Sequence, residues 1–142
     1  MEKTDNRSTG NRFEQEMSFK LAEKGFWVHV LQQNKFGQPA DIIAIRDSFH
    51  TLIDCKVCEK NYFSFDRVEQ NQQLAMKSFF RKTGELSYFA LKMPDGAVRM
   101  ISMSRIEQLK GRGKKRLNEK DIQTETRSFE DWLYFYDRSV SL

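Results

Sequence analysis

Cysteine, proline and histidine are scarce in this chain, at two residues each in 142. Two cysteines cannot make a disulfide framework. A structural zinc would have to gather Cys55, Cys58, His29 and His50, but cysteines three apart on a strand point to opposite faces, and the histidines lack the close pairing of small zinc modules. Cys55 is therefore read as a small core residue. No apolar run approaches the ~20 residues a membrane span needs, and the opening MEKTDNRSTG has no apolar signal-peptide core. A cytoplasmic protein with no membrane partner is expected. Internal repeats are also absent.

What remains is ordinary globular composition. Hydrophobic residues make up 39% and charged residues 31%, enough apolar material for a core without metal or disulfide staples. Lys and Arg number 24 against 20 Asp and Glu, a net charge of +4, and this mild basic bias is compatible with a polyanionic partner.

Residues 1–10 are polar and aperiodic and read as a flexible tail, with residues 11–142 as one domain. Phe13, Met17 and Leu21 share a helical face, and Gly25 follows, so a helix is expected from Asn11 to Lys24. Phe26–Leu31 is rich in β-formers and precedes a turn-prone segment, 32–38. Ala40–Arg46 and Thr51–Val57 form a plausible hairpin about Asp47 and Ser48. Ser64 is a candidate N-cap for a second helix carrying Phe65, Val68, Ala75, Met76 and Phe79 and stopping at Gly84. Leu86–Met93 and Ala97–Ser102 flank the turn Pro94-Asp95-Gly96, and Ser104-x-x-Glu107 resembles a capping box. The order is αβββαββ. Residues 110–116, within a basic loop at about 110–120, read as mobile, and Trp132–Tyr136 is open between strand and helix.

The chemistry concentrates in Pro39-Ala40-Asp41 and Asp54-Cys55-Lys56. On a strand Asp54 and Lys56 share a face, and a hairpin centred at Asp47–Ser48 sets Asp41 opposite position 54 to 56. The neighbours Ile42, Ile43, Ile45, Leu52, Ile53 and Val57 are apolar. Two carboxylates in such strands need a counter-charge, and hard oxygen donors suit Mg²⁺ or Mn²⁺. A metal held there would activate water against a phosphodiester, with Lys56 orienting that water; an ordinary solvated strand face is the alternative. Glu14 falls about 20° from Leu21 around the first helix, bordering the core stripe where it could reach the metal as a third carboxylate; an exposed helical glutamate is the alternative. Gln72 interrupts the apolar stripe of the second helix, so it needs a partner there.

The series Gly10-Asn11-Arg12-Phe13-Glu14, Pro39-x-Asp41, Asp54-x-Lys56 and Phe65-x-x-Val68-x-x-x-Gln72 resembles the PD-(D/E)XK nuclease superfamily, and within it Holliday junction resolvases of the RecU and archaeal Hjc type. The similarity covers residues 10–105. It implies a restriction-endonuclease-like α/β fold with an αβββαβ core, metal-dependent endonuclease activity, and a homodimer acting on branched or four-way DNA in recombination and repair. By position, Glu14, Asp41 and Asp54, with the Cys55 carbonyl, resemble the metal ligands, Lys56 the catalytic lysine and Gln72 the helix-borne glutamine. Asp54 stands where a glutamate is commoner. Lys114, Lys115, Arg116, Arg112 and Arg12 are the expected phosphate contacts, a solvated surface run being the alternative; Phe36, Tyr62 and Phe63 flank the motif where they could stack on unpaired bases at a branch, with core packing the alternative, preferred for Phe63. A restriction-type or repair nuclease, or a non-catalytic DNA-binding module, are the competing readings.

Overall fold

The computed structural model describes residues 6–31 and 38–140. Helix α1 (Asn6–Glu23) leads into strands β1 (Trp27–Val30), β2 (Ile42–Arg46) and β3 (Phe49–Val57). A two-residue strand β4 (Phe63–Ser64) and a 3-10 turn (Phe65–Arg67) precede helix α2 (Gln70–Thr83), then strands β5 (Tyr88–Lys92) and β6 (Val98–Ser102) and helix α3 (Met103–Gly111). Strand β7 (Arg116–Leu117), helix α4 (Glu119–Glu125), strand β8 (Arg127–Ser128) and helix α5 (Phe129–Val140) complete the chain.

The main sheet runs β1-β2-β3-β5-β6-β8, with β3 and β5 parallel and the other pairs antiparallel. This is the mixed sheet between helices that the resemblance implies. Side chains alternate between its faces as strand geometry requires. Ile42, Ala44, Ile53 and Ala90 pack with Phe13, Met17 and Leu21 of α1 and Trp132 and Leu133 of α5. Leu52, Phe89, Leu91 and Ile101 pack with Met76 of α2 and Ile106 and Leu109 of α3. Cys55 joins the first cluster and Cys58 the second, so the two thiols face opposite sides.

Several sequence expectations shift. Helix α1 begins at Asn6 rather than Asn11, so residues 6–10 are helical, while 1–5 lie outside the described residues. Ser64 caps the 3-10 turn, accepting from the Asp66 N–H; Val68 is extended, and α2 begins only after Glu69, ending at left-handed Gly84. The cap of α3 is Ser102, whose hydroxyl accepts from the Arg105 N–H at 3.0 Å, two residues earlier than the Ser104 box. Trp132–Tyr136 resolves as helix, since Trp132 and Leu133 are buried against the sheet while Tyr134 and Phe135 are exposed. Segment 110–116 is not a mobile loop. Lys110 and Gly111 end α3, Gly113 turns the chain at φ 89°, and Arg116 enters β7, which pairs with β4. The turn-prone segment lies largely outside the described residues, as does Phe36.

Candidate active site

The hairpin sets the two aspartates in place. Arg46 pairs with Phe49 across a two-residue turn, Asp47–Ser48, and the register runs back to Ile42 opposite Ile53. Asp47 takes a left-handed φ of 54°, which aspartate tolerates better than most residues. Asp41 continues the ladder: its N–H donates to the Ile53 carbonyl at 3.1 Å, and its Oδ2 accepts from the Cys55 N–H at 2.8 Å. Asp41 is 7% exposed and Asp54 1%, so neither is a solvated surface group.

Asp54 and Lys56 lie on the face of β3 that looks toward α2. The Gln72 amide donates to Asp54 Oδ1 at 2.8 Å. Gln72 Oε1 also accepts from the Glu69 N–H at 3.3 Å, so the first turn of α2 fixes the amide at both ends. This explains a buried polar side chain in an apolar stripe. Lys56 Nζ stands 3.0 Å from Asp54 Oδ2, an ion pair at the mouth of the buried carboxylate.

Glu14 arrives from α1, on the other side of the sheet, and is half-buried. Burial, then the neighbouring charge of Asp41 and a hydrogen bond with it, raise the Glu14 pKa to about 7. Burial is also the main reason Asp54 rises to about 8, with Asp41 adding to the rise and the Lys56 ammonium opposing it. The Cys55 thiol is pushed well up, by burial first and then by the three carboxylates. The site holds more negative charge than Lys56 balances.

A groove of about 1210 Å³ opens over this cluster; Glu14, Asp41, Asp54, Lys56 and Gln72 line it together with Lys60, Tyr62 and Arg67. Among the described residues no three His, Cys, Asp or Glu side chains form a closed metal cage. The donors nevertheless fit a hard divalent cation. They are buried carboxylate oxygens brought together from β3 and from the residue ahead of β2, and magnesium is commonly held by one or two carboxylates while keeping several waters.

The expected phosphate contacts are spread more widely. Lys114 is paired with Asp121 at 2.8 Å, and the Lys115 carbonyl accepts from the Phe65 N–H at 3.0 Å. Arg116 lies over the Tyr62 ring, 5.6 Å from its centroid. Arg112, at the C-cap of α3, and Arg12, on α1, are exposed. Phe63 is fully buried, whereas Tyr62 is 41% exposed. Sequence reasoning missed Arg67 on the groove wall, whose guanidinium donates to the Val57 carbonyl at 2.9 Å and sits over the Phe63 ring. It also missed Glu69, although Glu69-x-x-Gln72 has capping-box spacing.

The structure of Hjc from Archaeoglobus fulgidus, a Holliday junction resolvase from an archaeal hyperthermophile, superposes with a TM-score of 0.66 at 24% identity, covering 89% of this chain and 96% of that one. At that identity the likeness establishes the fold. No curated protein matches. The family model described as archaeal Holliday junction resolvase (Hjc) matches residues 5–134, nearly the full length, and by that match the chain belongs to the archaeal Holliday junction resolvase family.

Proposed function

We propose that this resolvase, a metal-dependent endodeoxyribonuclease, cuts the backbone of four-way DNA junctions in the groove over Asp41 and Asp54, with Mg²⁺ as its ion and Mn²⁺ able to substitute. The observation that carries this reading is Asp54: almost fully buried, oriented by Gln72, contacted by Lys56, and one strand away from Asp41. A charge cluster kept dry at such cost supports chemistry rather than mere DNA binding.

Asp41 and Asp54 would hold the ion, with Glu14 and the Cys55 carbonyl as further oxygen donors. When bound, such an ion supplies Lewis-acid polarisation of the phosphate and a more acidic attacking water. Lys56 brings a cation to the place where negative charge grows, and so orients the attacking water and stabilises the transition state. Gln72 keeps Asp54 in one orientation, the role outer hydrogen-bond partners play for metal-binding carboxylates. Arg12, Arg112, Lys115 and Arg116 would contact the phosphates of the junction arms, and Lys114 would do so only by sharing its ammonium with Asp121. Two cuts on a four-way junction require two equivalent sites, which supports a two-fold homodimer.

The test is direct. Labelled four-way junction, duplex and single-stranded DNA are incubated with the protein in Mg²⁺ or EDTA, and the cuts are mapped. Paired symmetric nicks on the junction, present in Mg²⁺ and absent in EDTA, are expected; cleavage in EDTA, or of duplex as readily as of junction, would overturn the reading.

A further inference from the structure

Tyr62 and Arg116 are 54 positions apart in the sequence, yet the guanidinium lies 5.6 Å from the ring centroid. The small sheet made by β4 and β7 brings them together: Phe63 pairs with Leu117 and Ser64 with Arg116, and the Phe65 N–H donates to the Lys115 carbonyl. Phe63 and Leu117 are both fully buried, so the residues beside them are held from the core. Tyr62 nonetheless remains 41% exposed and lines the same groove as Asp54 and Lys56. The groove floor is acidic at Glu14, Asp41 and Asp54, whereas Lys60 and Arg67 put cations on its wall.

We propose that Tyr62, backed by Arg116, is a stacking platform for an unpaired base at the branch point, and so helps the enzyme prefer junctions to duplex. The inference rests on the groove being the cleavage site. One ring face carries the cation, which strengthens the ring's hold in place and leaves a charge for a nearby phosphate. A flat aromatic surface takes any base, because every base has a π-face. Intact duplex hides those faces in its stack, whereas a base at the branch point loses a stacking neighbour when the arms open and needs less energy to leave its pair. Tyr62 is therefore a specificity residue, distinct from the carboxylates that carry out cleavage.

Binding is measured by fluorescence anisotropy, at one salt concentration, in an Asp54→Asn background that prevents cutting. The DNAs are a four-way junction, a duplex of one arm and the corresponding single strand. Tyr62→Ala is expected to weaken junction and single-strand binding by about tenfold while sparing the duplex, and Tyr62→Phe to bind like wild type, because stacking needs the ring and not the hydroxyl. Unchanged junction affinity in Tyr62→Ala, equal loss on all three DNAs, or loss in Tyr62→Phe would each overturn the platform. The Asp54→Asn parent reports separately on the groove: if it still cuts junctions, the cleavage-site reading fails whatever Tyr62 does. Matching melting temperatures of the Ala and Phe variants exclude misfolding as the cause.

Discussion

In the proposed mechanism a single carboxyl, that of Asp54, bears on both activity and stability. Asp54→Asn should reduce junction cleavage by roughly a thousandfold or more, as loss of a group central to transition-state electrostatics does, while junction binding stays intact or tightens. Rate and affinity measured on the same DNA check this. The raised pKa of about 8 has a second consequence. Between the ordinary aspartate value of 3.8 and about 8 the folded protein binds more protons here than the unfolded chain, so metal-free stability falls as pH rises through that window. Asp54→Asn removes the burden and should raise the metal-free melting temperature at pH 8 by a few degrees, on the order of 1 kcal/mol, with little gain at pH 5. A calorimetric pH series with EDTA measures both. Gln72→Ala should lower turnover by roughly 10–100-fold, the usual loss when an outer partner of a metal ligand goes, and Gln72→Glu should not restore it, because a second carboxylate would face Asp54.

At the scale of elements, the segment after α3 matters most. Its basic residues are not equivalent, because Lys114 is committed to Asp121 while Arg116 sits beside the groove. Lys115→Ala with Arg116→Ala should therefore flatten the slope of log affinity against log salt by about 1–2 units, and Lys114→Ala should change it less. A titration across salt concentrations separates the cases. Asp121 also caps α4, accepting from the Asn118 N–H at 3.0 Å, and its pKa is lowered, first by Lys114 and then by that N–H. An acid with a lowered folded pKa stabilises above its unfolded value of 3.8 and loses that contribution as pH falls through the lowered value. The gap in melting temperature between wild type and Asp121→Asn should thus close as the pH is taken from 6 to 3. Gly113, at φ 89°, aims the chain into β7, and alanine there should cost roughly 1 kcal/mol or more because an L side chain resists that conformation.

For the whole molecule, the proposed pairing of nicks calls for two equivalent grooves related by a dyad. Light scattering should give a dimer mass, with or without junction DNA. A monomer in both conditions would remove the symmetric pairing of nicks and point to a simpler nuclease action. Exposed large apolar residues include Trp27 on the edge strand β1, at 59%, and Leu74 on α2, at 58%. Among the described residues no helix is long and apolar enough to cross a membrane.

The strand pair carrying Asp41 and Asp54, the turn at Asp47–Ser48 and the two shared faces of β3 were legible in the sequence. Each follows from local rules: the period-2 alternation of side chains and a turn short enough to leave one register. The misplacement of Gln72 in an apolar stripe was also visible, because a polar residue there breaks the helical period. The partner of Gln72, by contrast, depended on how α2 lies across β3. Two start positions, those of α2 and α3, were decided by cap geometry that more than one Ser or Glu nearby could have supplied. Segment 110–116 reads as a loop on composition, since glycines and cations have no period, yet its last residues form β7 because Phe63 and Leu117 bury each other across 54 positions. Local periodicity determined the elements and the face that bears the charges. Which distant residues meet in the groove, Glu14 from one side of the sheet and Gln72 and Tyr62 from elsewhere, with Arg116 behind Tyr62, was decided by tertiary packing, because burial is shared between segments and no single segment encodes it.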